Sequence, residues 1–298
     1  MENTDINYKP RKIWKALLFS LLMFGVGQIY NGQIKKAIIL FICLVFVPLI
    51  AAITKLSTTF YGNIIVYTIF IAIMLFAIID ACLNAKKQKN YVAKKYNKWY
   101  FHLIFGIIIF FGAWLFFKSP LSPQYKFVRH FQIPTTANAP TIQLNDYVVA
   151  DMQAFKNANP DYGDIVIFSI NDELHAFRIV GKPNDTLSIK DNFLIINNNL
   201  LKYSLHNTEN FAKYYDEYEE ELPNGHKHLI WKYLEFSNEK ADIEIIIIPN
   251  DCYFVMGDNR DDAFDSRYLG VITKEQIKGK ATCLIGNNFK RNIDLTKN

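Results

Sequence analysis

Met256-Gly257-Asp258-Asn259-Arg260-Asp261-Asp262-Ala263-Phe264-Asp265-Ser266-Arg267-Tyr268-Leu269-Gly270 places six charged side chains in a loop that follows the apolar run Tyr253–Met256. The run reads as a strand, and Gly257 marks where it stops. Asp258 with Arg260, and Asp265 with Arg267, have the chemistry for carboxylate–guanidinium forks that would hold the loop rigid. An ordinary solvated loop needs no such density of matched partners. Outward from this loop the pattern stays β. Tyr147–Ala150, Ile165–Ile170, Ala176–Val180, Thr186–Ile189, Leu194–Ile196, Ile243–Ile248 and Ala281–Ile285 are short apolar or alternating runs, separated by turn residues such as Asn171-Asp172, Pro183-Asn184-Asp185 and Pro223-Asn224-Gly225. Ile165–Val180 predicts a hairpin closed around Asn171-Asp172-Glu173, and Thr273–Ile277 a helical turn. Ser204–Asn238 is polar and acidic and reads as an inserted subdomain. The expectation for residues 119–298 is a mostly antiparallel β domain with an insertion at about 204–238.

Residues 1–118 are of another kind. They carry 14 Lys and Arg against Glu2, Asp5 and Asp80, whereas residues 119–298 carry 19 basic against 25 acidic side chains. Apolar runs at 37–53, 64–83 and 100–117 approach the ~20 residues a helix needs to cross hydrocarbon. Residues 14–30 form a weaker run, diluted by Gly25, Gly27 and Gln28, and none of the four has a small-residue cleavage pattern. Lys86, Lys87, Lys89, Lys94, Lys95 and Lys98 fill one loop without an acid, which places it in the cytoplasm. Residues from Lys118 onward are then outside. Lys9, Arg11 and Lys12 also belong inside if 14–30 is interfacial or re-entrant, hinged at 25–32, so the expectation is three full spans plus that hairpin. Asp80 is expected within reach of the headgroups and Lys86. A membrane domain at 1–118 excludes a wholly soluble protein, and an anionic β domain makes nucleic acid a poor partner. Cys43 and Cys82 sit in apolar runs and read as core thiols, while Cys252 and Cys283 are open as a pair or as free thiols.

The loop at 256–270 resembles the last signature of the bacterial type I signal (leader) peptidases, Gly-Asp-Asn-Arg followed by Asp-Ser-Arg. Further motifs follow in order. Ile133-Pro134-Thr135-Thr136-Ala137-Asn138-Ala139-Pro140-Thr141-Ile142 with Asn145-Asp146-Tyr147 is similar to Pro-Ser-x-Ser-Met-x-Pro-Thr-Leu and its Gly-Asp-Tyr. Gly163–Phe168 and Phe177–Asp185 resemble the two strand signatures, and Glu221–Gly225 with His228 is similar to the insertion hairpin of Gram-negative members. The likeness covers roughly 119–286 plus the preceding span. It implies a serine nucleophile, a lysine base whose pKa burial lowers, a second hydroxyl at the oxyanion site and a third that orients the lysine. It implies no cofactor, and a place at the bacterial cytoplasmic (inner) membrane with the C-terminal domain on the periplasmic side.

At the matching positions that machinery is missing. The nucleophile position is Ala137, the base position Phe177 and the orienting hydroxyl Ala263; Thr135 is a remnant of the oxyanion hydroxyl. Asn138 replaces the flanking Met, and Asn184 a Gly. The framework Pro134, Pro140, Thr141, Gly257, Asp258, Asn259, Arg260, Asp265, Ser266 and Arg267 is retained. Parity along an extended chain would place Thr135 beside Ala137, Thr136 on the opposite face and His175 beside Phe177, so His175 is the substitute base if one exists. Lys182 and Lys190 read as solvated charges. His226-x-His228 has two imidazoles but no third ligand, which favours hairpin decoration over a metal site. The expectation is a catalytically inactive relative that binds signal peptides or a partner membrane protein. The alternatives are an active signal peptidase using relocated groups, testable by Thr135→Ala or His175→Ala, and an assembly subunit acting through its membrane third.

Overall fold

The computed structural model describes residues 10–22, 24–92, 97–118, 126–191, 193–206, 215–233, 242–285 and 292–295. Its contacts define two units, Met1–Ser57 with Tyr61–Lys126, and Phe127–Asn298 with Thr58–Phe60. Lys9, Lys94, Lys95 and much of the insertion, 207–214 and 234–238, lie outside the described residues, as do 119–125 at the expected junction.

In the first unit α1 (Ile13–Leu22) is followed by α2 (Val26–Tyr30), with Gly25 at φ +83° between them. All five residues of α2 are buried. A Cβ on Gly27 would meet the Ser20 hydroxyl and lie 3.1 Å from the Ala81 methyl, so the close approach depends on glycine. The Gln28 and Asn31 amides donate to the Ala77 and Ala81 carbonyls, both at 2.6 Å. The 14–30 run is thus helix, break, helix. Next come α3 (Ile34–Ile53), α4 (Phe60–Lys87) and α5 (Trp99–Lys118). Of these, α3 and α4 are long and apolar enough to cross a membrane. Their outward faces carry Ile39, Ile50, Ile71 and Phe76, the reverse of a water-facing helix. Asp80 pairs with Lys36 at 2.7 Å rather than with Lys86, because Lys36 reaches it from the neighbouring helix.

The second unit contains β1 (Val128–Gln132), β2 (Tyr147–Asp151), β3 (Ile165–Ile170), β4 (Glu173–Gly181), β5 (Thr186–Lys190), β6 (Phe193–Ile196), β7 (Asn199–Leu200), β8 (Lys202–Leu205), β9 (Tyr215–Glu221), β10 (Lys227–Tyr233), β11 (Ile243–Ile247), β12 (Cys252–Met256), α6 (Ser266–Leu269), β13 (Ile272–Thr273), β14 (Ile277–Ile285) and β15 (Asn292–Asp294). All the strand pairings among the described residues are antiparallel. The main sheet runs β1-β2-β14-β3-β4-β12-β13 with β15 on β14; β11-β5-β6-β7 and β10-β9-β8 form two smaller sheets. The β3–β4 hairpin closes through two residues, Asn171 and Asp172, both at positive φ, with Glu173 already paired to Ile170. Lys274–Gln276 is the expected helical turn, closed by a Thr273/Gln276 capping box. Asn184 and Asn145, which stand where the signature has glycine, sit at φ +70° and +66°, so the turns are kept without the glycines.

All four cysteines are free. Cys252 on β12 and Cys283 on β14 are separated in the sheet by β3 and β4, about 14 Å by strand spacing and beyond disulfide reach.

Candidate functional site

β4 runs past the end of β12. The β12 partners of β4 are Gly181, Ile179 and Arg178, so among the described residues the edge of β4 opposite β3 has no strand beside it from Glu173 to Phe177. The loop 134–141 lies there instead. Between them opens a cleft of about 750 Å³, lined by Phe131, Ile133, Leu144, Leu174, Phe177 and Phe264 with Thr135, Thr136, Asn138, His175 and Asp262 among the polar members. Among the described residues that line it there is no Ser, Cys, Lys or Arg.

The three positions singled out from sequence converge. Ala137, Phe177 and Ala263, each about 93% buried, share one apolar cluster with Val166, Phe168, Ile179 and Val255. Gly257 is required at its centre, since a Cβ there would meet the Ala137 carbonyl oxygen and the Ala263 methyl. The parity reading of 133–142 fails because the segment is not extended. Ala139 N donates to the Thr136 carbonyl and Ile142 N to that of Asn138, so the chain turns. Thr136 therefore lines the cleft beside Thr135 instead of facing away, and its hydroxyl donates to Asp262. His175 does share the face of Phe177, with ring centroids 6.4 Å apart, and stacks on Phe168. Among the described residues it has no hydrogen bond to Thr135 or Thr136.

The signature loop is held by long-range partners. Asp258 does not pair with Arg260. The chain at 258–260 runs beside β10, with Trp231 N donating to the Asp258 carbonyl and Arg260 N to that of Trp231, and the two side chains find partners on different strands, β4 and β9. Arg178 Nε and Nη2 donate to both oxygens of Asp258 at 2.8 and 2.7 Å. Arg260 in turn forks onto Glu220 of β9, wholly buried. Asp265 and Arg267 do form the expected fork, at 2.9 and 3.0 Å, because Asp265 caps α6 and the chain turns there. Asp265 also accepts from Gly257 N, and the Ser266 hydroxyl from Val255 N, which pins the end of β12. Arg178 Nη2 also reaches the Thr141 hydroxyl at 3.3 Å.

His226 and His228 are part of this network, not surface decoration. His228 is buried with Nε2 3.3 Å from Glu220 and 3.8 Å from Asp258, and His226 Nε2 lies 3.2 Å from Arg178 Nη1. Burial and then the Arg178 charge lower both imidazoles, His226 to about 4. Burial alone would raise the Glu220 and Asp258 carboxyls, but Arg260 and Arg178 respectively hold them below the usual range. The signs agree. Neutral histidines and ionised carboxylates both favour the fold: the histidine contribution is complete above the ordinary value of 6.5 and is lost as pH falls toward 4, whereas the Glu220 and Asp258 contributions are lost only below their ordinary values of 4.5 and 3.8. The thermal midpoint is expected to drop over that interval, and His226→Gln to flatten part of the drop. Lys182 pairs with Asp161 at 2.8 Å. Among the described residues no three His, Cys, Asp or Glu side chains group to hold a metal ion.

The class that the fold defines is an antiparallel β scaffold with a cleft between an open strand edge and the loop 134–141. The sequence model of the signal peptidase, peptidase S26, family matches residues 99–285, from α5 through β14, and the chain belongs to that family. The signal peptidase I of Pseudomonas aeruginosa is 28% identical over 229 residues, 68% of this chain and 75% of that one. The probable signal peptidase I-2 of Synechocystis sp. is 27% identical over 157 residues, which cover 50% of this chain and 59% of that relative's length. A signal peptidase I structure from Enterococcus faecalis V583 covers 42% of this chain and 97% of its own at 25% identity, with a TM-score of 0.27.

Proposed function

We propose that this chain is a non-hydrolytic member of the signal peptidase family, holding signal peptides at the outer face of the bacterial cytoplasmic membrane without cutting them. One observation carries the reading. The positions matching the nucleophile, base and orienting hydroxyl are Ala137, Phe177 and Ala263, packed together as apolar core under an open cleft. None of the three can attack a carbonyl or take a proton. The cleft beside them keeps what binding needs, an unpaired strand edge at Glu173–Phe177 for backbone hydrogen bonds and an apolar lining for side chains. With α3, α4 and α5 as spans and the lysine loop in the cytoplasm, the β unit is outside, where exported chains emerge.

A photo-crosslinker in place of Phe264, on the full chain in lipid nanodiscs, tests this with a preprotein carrying its signal peptide. The expected adduct joins the signal segment to this chain, with the preprotein uncut. Equal crosslinking from the Ile247 position, on the exposed face of the small sheet, would sink the binding claim.

A further inference from the structure

Asn138 is 2% exposed, yet only half of its side-chain amide is used. Nδ2 donates to the Ala176 carbonyl at 2.7 Å, while Oδ1 is covered and has no hydrogen-bond partner among the described residues. Both residues line the cleft. Ala176 is one of the β4 residues whose backbone groups point to the unpaired edge, beyond the last partner of β12. The side chain therefore sits where the next strand of the sheet would lie, and it already takes the carbonyl that strand would take. A buried acceptor without a donor is unfavourable and is rare in folded proteins.

We propose that Asn138 is the backbone receptor of the cleft. Its amide serves as a surrogate peptide unit, with Nδ2 fixed on the Ala176 carbonyl and Oδ1 held for one backbone N–H of an extended peptide laid along β4. The proposal rests on the peptide-holding function above and adds the group that fixes the peptide's register. No bond is made or broken. The bound chain donates to Oδ1 and satisfies it, so the acceptor unsatisfied in the free protein becomes a favourable contact in the complex.

The test uses the full chain in nanodiscs and a fluorescein-labelled decapeptide of alternating Ala and Leu with a lysine tail. Asn138→Met and Asn138→Leu remove the orphan acceptor together with the donor, so the thermal midpoint is expected to stay where it was while Kd weakens about tenfold, equivalent to about 1.4 kcal/mol. N-methylation along the peptide should find one position that costs wild type the same factor and costs Asn138→Met nothing further. If wild type binds the peptide but no N-methyl position couples to Asn138, or if affinity and thermal midpoint fall together, Asn138 is structural and the inference fails while peptide holding stands. If wild type does not bind the peptide, both fall.

Discussion

Arg260→Met is expected to destabilise the β unit by about 3–5 kcal/mol, because it strands a carboxylate that is fully buried. Glu220 is fully buried and both its oxygens face the Arg260 guanidinium. The Tyr203 hydroxyl at 2.6 Å and His228 at 3.3 Å are its remaining partners, and neither supplies a full charge at neutral pH. The damage should spread along the loop, since Arg260 Nε also holds the Gly257 carbonyl. Urea titration followed by Trp231 fluorescence, with Trp14, Trp99 and Trp114 changed to Phe, reads the loss locally, because Trp231 borders the same loop. Glu220→Leu combined with Arg260→Met should recover most of it, since removing both charges leaves nothing unpaired. A double variant as unstable as the single would show that the pair itself, and not the orphaned charge, carries the energy.

The second large effect is a gain. Ala137→Ser, Phe177→Lys and Ala263→Ser together install the three groups that the signature resemblance implies for these positions. They converge here on one cluster around Gly257. Apolar walls from Val166, Phe168 and Ile179 would depress the new lysine toward working pH, the condition for a neutral base. Such groups act as a unit, so preprotein processing should rise by on the order of 10³-fold or more in the triple variant. Ala137→Ser alone should leave it at background. A folded triple variant that crosslinks a preprotein without cutting it would mean the cleft no longer presents a peptide to position 137.

These expectations depend on how sequence and structure divide the information. The apolar runs at 37–53 and 64–83, with Asp80 the one charge between them, became α3 and α4 because a long apolar run satisfies its backbone only as helix in apolar surroundings. The strands of the main sheet were legible where both faces are buried, as in Ile165–Phe168. β9 was not, since Tyr-Asp-Glu-Tyr-Glu-Glu-Glu has no apolar alternation. Its acids are used one by one across the hairpin and loop: Glu217 by Trp231, Glu219 by Lys227, Glu220 by Arg260 and Glu221 by Lys202. β1 carries Arg129, His130 and Gln132 at the sheet edge and hides for the same reason. In the site, the resemblance to the family's signatures singled out Ala137, Phe177 and Ala263, which the fold then brought together. Partner choice was not readable, because Arg178 and Asp258 lie 80 positions apart and only the β4–β12 pairing makes them neighbours. Nor was the turn at 134–141, whose hydrogen bonds overturn the parity that misplaced Thr136.

Incubating the purified wild-type chain with a preprotein, and reading the products by intact mass, bears most directly on the proposal that the chain holds peptides without hydrolysing them. The expected spectrum holds only the full-length preprotein and the unmodified chain. A mature fragment whose appearance ends with Thr135→Ala or His175→Ala would show that hydrolysis has moved to the hydroxyl or the imidazole in the cleft, and would contradict the account.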